Sequence, residues 1–174
     1  MTLQKFTLVL GGAASGKSVF AERLVEASEK QGVYVATAQF IDAELDARIS
    51  DHKMRRNQRW RTVEAPVALA EAIAGAPEEA AVLVDCATLW LTNLILAEAD
   101  HEAAGDAVLK AMDARAGPVV IVSNDVSGGI VPETALGRRF QRAQGGLNQR
   151  LAARADLVVM VTAGLPQVLK GELS

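Results

Sequence analysis

"FTLVLGGAASGKSVF", residues 6–20, decides how this chain folds. Phe6–Leu10 is a short, mostly apolar run that reads as a buried strand. A helix is expected from about Lys17 to Lys30, with Phe20, Leu24 and Ala27 on one face and Gly32 just past its end. Between them stands Gly11-x-x-x-x-Gly16-Lys17-Ser18, the phosphate-binding loop pattern. Each residue type has a task. Gly11, Gly12 and Gly16 let the backbone curl until successive N–H groups point at phosphate oxygens. Ala13, Ala14 and Ser15 keep bulk out of the cradle. The helix start adds its positive dipole end. Lys17 reaches the outer phosphates, and the Ser18 hydroxyl is placed for Mg²⁺. The competing dinucleotide fingerprint G-x-G-x-x-G fails, because Ala13 stands where its second glycine belongs.

Outward from this loop, aliphatic strands alternate with helices. "VYVA" (Val33–Ala36), "AVLVD" (Ala81–Asp85), "PVVIVS" (Pro118–Ser123) and "LVVMV" (Leu157–Val161) read as strands. Helices are expected after Asp42 with Leu45 and Ile49 inward, from Pro66 until Gly75 and Pro77, over "TLWLTNLILAEA", and from about Pro132 to Ala155. Continuously apolar strands, each followed by a helix, imply a mostly parallel sheet covered on both faces: an α/β, three-layer fold. The 174 residues suit one domain, 1–174, with no repeat or linker.

Composition narrows the function. A formal charge of −3 gives no basic field for nucleic acid. The one cysteine, Cys86, cannot pair within the chain, which suits a reducing compartment. No apolar run reaches the ~18 residues of a membrane span, and Met1–Lys5 is too polar for a signal peptide, so a cytoplasmic location is expected.

Three further features bear on chemistry. Asp85 ends a strand and fits the acid that holds Mg²⁺ opposite the loop; capping the next helix is its structural alternative. "DHKMRRNQRWRTVEAP", residues 51–66, packs Lys53, Arg55, Arg56, Arg59 and Arg61 into an otherwise acidic chain. That run is either a solvated face or a polyphosphate clamp. His52, at its head, is either a surface histidine or a nucleophile, since a neutral imidazole nitrogen can attack phosphorus. His101, in "EADHEAAGD", is expected in a polar turn, exposed to solvent.

Taken in order, "GGAASGKS", "VYVATAQ", the D-x-E-L-x-x-R-I-x-x-H segment, "WRTVEAP", "LVDCATLWLTNL", "VSNDVSGGIVPE", "GRRF" and "GLNQRLAARAD" span nearly the whole chain. Together they resemble the bifunctional adenosylcobinamide kinase/adenosylcobinamide-phosphate guanylyltransferase family. The resemblance implies a RecA-like phosphate-loop fold and a homotrimer. It implies phosphorylation of adenosylcobinamide by ATP or GTP. GMP then passes from GTP to adenosylcobinamide phosphate through a guanylylated histidine, which falls on His52. It places nucleotide binding on Gly11–Ser18, Ala36, Thr37, Ala38, Lys53, Met54, Arg55, Arg56, Glu64 and Asp85, with Ser18 and Asp85 toward Mg²⁺. Glu64 would select guanine, since a carboxylate can accept from its N1–H and 2-amino group; a surface carboxylate near Arg61 is its structural alternative. Two positions depart from the family pattern: Asp125 stands for the usual Glu, and Arg142 for a common acid. "VSGGIVPE" is a candidate substrate loop. A plain phosphate-loop kinase without a covalent step, and a RecA-like regulatory module, remain the other readings.

Overall fold

The structure, a computed structural model, describes residues 2–39 and 59–173. Its strands are β1 (Phe6–Gly11), β2 (Gly32–Ala36), β3 (Trp60–Glu64), β4 (Ala81–Asp85), β5 (Val119–Asn124), β6 (Leu157–Thr162) and β7 (Leu165–Lys170). Its helices are α1 (Lys17–Ala27), α2 (Leu69–Ala74), α3 (Ala87–Leu96), α4 (His101–Ala114) and α5 (Ala135–Arg154). The strands form one sheet in the order β3-β2-β4-β5-β1-β6-β7, parallel except for the antiparallel β6–β7 pair.

Strand alternation divides the core. Leu8, Leu10, Val33, Val82, Val84 and Ile121 face α2–α5, with Trp90, Leu91, Met112, Leu147 and Leu151 packed against them. Val9, Tyr34, Leu83, Val120, Val122 and Val159 face α1 through Ala21, Leu24 and Val25. Leu8, Leu83 and Val122 are wholly buried; each such side chain contributes about 2 kcal/mol by leaving water. The expected three layers and the mostly parallel sheet are present.

Element boundaries differ from expectation for local reasons. α1 stops at Ala27 rather than Lys30, where Ser28 Oγ turns back to donate to Val25 O at 2.6 Å and Glu29 adopts φ 59°. α2 starts at Leu69, not at Pro66. α5 starts at Ala135, because Thr134 Oγ1 caps it by accepting from Gly137 N at 3.0 Å. The helix expected after Asp42 lies outside the described residues.

His101 requires a correction. It opens α4 instead of lying in a turn, and it is half-buried instead of fully exposed. Asp100 caps this helix, its Oδ1 accepting from Glu102 N and Ala103 N at 3.1 and 3.0 Å.

Within α5, Gly145 and Gly146 sit in the helix interior, where a glycine costs about 1 kcal/mol relative to alanine. A Cβ built on either meets nothing within 4 Å among the described residues, so no described neighbour calls for glycine there.

Candidate active site

The carboxyl ends of the parallel strands place the expected site residues side by side. Gly11 is in register with Asn124 and with Val161, Asp85 with Val122 and with Ala36, and Ala36 with Glu64. One edge of the sheet thus carries Gly11–Ser18, Ala36–Ala38, Glu64 and Asp85. His52, Lys53, Met54, Arg55 and Arg56 lie outside the described residues.

The phosphate loop leaves β1 and enters α1 as its sequence demands. Ala14 and Gly16 take positive φ, 56° and 91°. Ser15 N–H donates to Gly12 O at 3.3 Å, and Lys17 Nζ donates to Gly12 O at 3.0 Å. The glycines also permit close approach. A Cβ on Gly11 would lie 2.6 Å from Val161 O, and one on Gly16 3.2 Å from Gly164 Cα. The β6–β7 turn braces the loop, since Gly164 N–H donates to Ser15 O at 2.8 Å.

Asp85 sits at the tip of β4, half-buried, where Tyr34 Oη donates to its Oδ2 at 2.9 Å. Tyr34 in turn meets Trp60 edge-on, with ring centroids 6.3 Å apart. Ser18 offers a hydroxyl and Asp85 a carboxylate. Such hard oxygen donors suit Mg²⁺, which keeps several waters and takes few protein ligands. Among the described residues no three His, Cys, Asp or Glu side chains cluster as a metal site.

The remaining expected positions differ in their surroundings. Thr37 is fully buried and committed. Its Oγ1 donates to Cys86 O at 2.7 Å and accepts from Cys86 N at 2.8 Å. Its carbonyl accepts from Asn93 Nδ2 at 2.9 Å. Thr37 therefore shapes the β2 tip, while Ala36 and Ala38 are half-buried beside it. Glu64 is exposed at the sheet edge. Cys86 is buried, and burial, then the Asp85 carboxylate, push its thiol up to about 11, so it is protonated at neutral pH.

Sequence reasoning missed the residues that hold these tips. Asn93, buried in α3, donates both to Thr37 O and to Pro66 O at 2.9 Å, tying the segments after β2 and β3 together. Thr88 Oγ1 accepts from Asn124 N at 2.8 Å, fixing the β5 tip. A polar Asn93 inside "TLWLTNLILAEA" was the available signal.

Solved structures share the architecture at low sequence identity. The flagellar accessory protein FlaH from Methanocaldococcus jannaschii matches with a TM-score of 0.57 and 11% identity, over 98% of this chain and 80% of that one. A solved ATPase domain matches at 0.54 and 11%, over 92% and 70%. These likenesses concern the RecA-like fold alone.

Sequence relatives are more specific. The bifunctional adenosylcobalamin biosynthesis protein CobP of Pseudomonas aeruginosa is 44% identical over 168 residues, covering 95% of this chain and 97% of that protein. The bifunctional adenosylcobalamin biosynthesis protein CobU of Escherichia coli is 39% identical over 179 residues, covering 94% and 98%. The model of one family spans residues 7–169, from within β1 to within β7, and so takes in every part of the strand-end site described above. The chain belongs to the cobinamide kinase / cobinamide phosphate guanyltransferase family.

Proposed function

We propose that the family's two reactions, cobinamide phosphorylation and guanylyl transfer, meet at this strand-end site and that a covalent histidine separates them. The observation that carries the reading is the row Gly11–Ser18, Asp85, Ala36 and Glu64 along one sheet edge. In the kinase step the acceptor hydroxyl attacks the γ-phosphorus of ATP or GTP. The bond from that phosphorus to the β-bridging oxygen breaks, the diphosphate leaves, and the hydroxyl proton passes to solvent. Loop N–H groups and Lys17 hold the phosphates in line, so catalysis is mostly positioning and charge stabilisation. Ser18 and Asp85 would hold Mg²⁺, which neutralises phosphate charge when bound.

In the second reaction, a neutral His52 nitrogen attacks the α-phosphorus of GTP, and pyrophosphate departs. A phosphate oxygen of adenosylcobinamide phosphate then attacks the same phosphorus. The P–N bond breaks, His52 is restored, and adenosylcobinamide-GDP forms. Lys53, Arg55 and Arg56 would stabilise the pyrophosphate, Met54 and Ala36–Ala38 would border the nucleotide, and Glu64 would read guanine. The family resemblance supports these assignments.

The whole chain, 1–174, acts as one domain in this reading. Its expected location is cytoplasmic; among the described residues no helix is long and apolar enough to cross a membrane. The resemblance supports a homotrimer. An apolar groove of about 350 Å³ between α3 and α5, lined by Ile95, Leu96, Leu136 and Phe140, offers a face for contact between copies. A scattering mass equal to one 18.4 kDa chain would overturn the trimer.

The test of the histidine is intact-protein mass spectrometry after GTP exposure, with both reactions assayed. His52→Ala is expected to lose the GMP adduct and guanylyl transfer while retaining phosphorylation. His101→Ala should retain all three. An adduct surviving in His52→Ala would refute the assignment, and loss of both reactions together would favour a plain structural role.

A further inference from the structure

A groove of about 530 Å³ opens at the carboxyl end of the sheet, on the α5 side. Leu10, Gly145 and Gly146 line it, together with Asp125, Arg142 and Gln149. It shares a wall with the phosphate loop, because Asp125 N–H donates to Gly11 O at 3.1 Å. A ligand in this groove would lie one strand's width from a nucleotide cradled by Gly11–Ser18.

The groove is built at a cost to its helix. Gly145 and Gly146 weaken α5, and among the described residues nothing lies within 4 Å of where their Cβ atoms would be. By contrast, a Cβ on Gly117 would run into the Glu78 and Ala80 carbonyls, so Gly117 has a packing reason to be glycine. The α5 pair has none, so what it provides is clearance beside a helix backbone. The side chain next along, Asn148, is fully engaged. Its Nδ2 donates to Asn124 O at 2.9 Å, and its Oδ1 accepts from Ser123 Oγ at 2.7 Å and from Gln144 Nε2 at 2.9 Å. That network pins α5 to the β5 tip and fixes the groove's width. Gln141 Nε2 donates to Val126 O at 3.1 Å and ties on the loop that follows. In this loop Ile130 and Val131 present apolar side chains to solvent, 97% and 66% exposed.

We propose that this groove seats the acceptor: the amide-bearing edge of the corrinoid ring together with its aminopropanol arm. The chemistry matches. A corrinoid is a broad ring with an apolar face and peripheral carboxamides that both donate and accept hydrogen bonds. The glycine pair gives its edge room against α5. Arg142 and Gln149, exposed at the rim, can donate to amide carbonyls, and Gln149 and Asp125 can accept from amide N–H groups. Ile130 and Val131 belong to the loop that continues from Val126 and Ser127 in the groove's wall. The shared wall with the phosphate loop directs the arm's hydroxyl toward the γ-phosphate. The inference rests on the kinase reading of the site but not on the histidine.

The experiment is equilibrium dialysis of the full chain against adenosylcobinamide, with nucleotide affinity and melting temperature measured alongside, for wild type, Gly145→Ala and Gln149→Trp. Gly145→Ala should bind the corrinoid at least fivefold more weakly while its melting temperature rises by about 2 °C. Gln149→Trp, an exposed change that leaves the helix intact, should weaken corrinoid binding at least tenfold. Neither should alter nucleotide affinity or GMP-adduct formation by more than twofold. Corrinoid binding at wild-type strength in both variants would overturn the groove, as would equal losses of corrinoid and nucleotide affinity. Because dialysis needs no turnover, a wrong kinase reading would show itself separately, as a wild type that binds the corrinoid but never phosphorylates it.

Discussion

At Cys86 two neighbours of opposite charge act on one thiol. Burial and Asp85 raise its pKa, and the backbone N–H groups of Leu89 and Thr88, then Lys17, partly offset them. A thiol whose folded pKa lies above its unfolded value, ~8.5, stabilises the protein fully below that pH. The contribution is lost as pH rises toward about 11. Over that window wild type should lose stability faster than Cys86→Ala, by up to about 1.4 kcal/mol per pH unit. Denaturant unfolding of both proteins from pH 8 to 10.5 checks it; parallel curves would refute it. In the proposed mechanism Lys17 is the residue on which both reactions depend. Lys17→Ala should lower each rate at least a hundredfold, since a charge contact to a transferring phosphate supplies several kcal/mol in the transition state. Steady-state assays of the two reactions decide this, and kinase turnover within tenfold of wild type would remove the phosphate-loop assignment.

Among the elements, Arg115 shows how a loop far from the site is held. It follows α4, is 3% exposed, and donates to Ala76 O and Ala80 O at 2.7 Å and to Pro77 O at 2.5 Å. Arg115→Ala strands two buried carbonyls, Ala76 O and Ala80 O, and a partly buried one, Pro77 O, so it should cost about 3 kcal/mol by denaturant unfolding and leave kcat of both reactions within twofold. A loss below 0.5 kcal/mol would mean the loop reorganises. Legibility in the sequence followed burial. β1, β4, β5 and β6 are buried on both faces and read as continuous apolar runs. β3 and β7 escaped notice because they are the sheet edges: "WRTVE" is partly exposed, and "LPQVLK" is exposed throughout and contains Pro166. α4 carries its apolar residues sparsely, Val108 and Met112 being its only large buried ones, so its period was faint. The places of the loop between β1 and α1, and of Asp85 at a strand tip, were legible because a glycine pattern and an apolar run mark them locally. Tyr34, Asn93 and Gly164 support the site across more than forty residues of chain, and no local spacing encodes such partners.

For the whole molecule, the consequence lies in the order of the sheet. β1, which carries the phosphate loop, has β5 on one side and β6 on the other, and the turn after β6 holds Ser15 O through Gly164 N–H. The loop residues Gly11–Ser18 thus precede β5, β6 and Gly164, their supports, along the chain. A ribosome-bound chain that has emerged only as far as β4 carries the entire glycine loop and yet has neither of β1's neighbours to pair with. Contacts this distant in sequence form slowly, and an unpaired apolar strand invites association meanwhile. Chains ending at residue 155 should therefore fail to bind a fluorescent GTP analogue despite an intact Gly11–Ser18, and binding within threefold of the full chain would contradict this. On that outcome nucleotide recognition awaits the β6–β7 hairpin, and a fragment released before it would not sequester GTP.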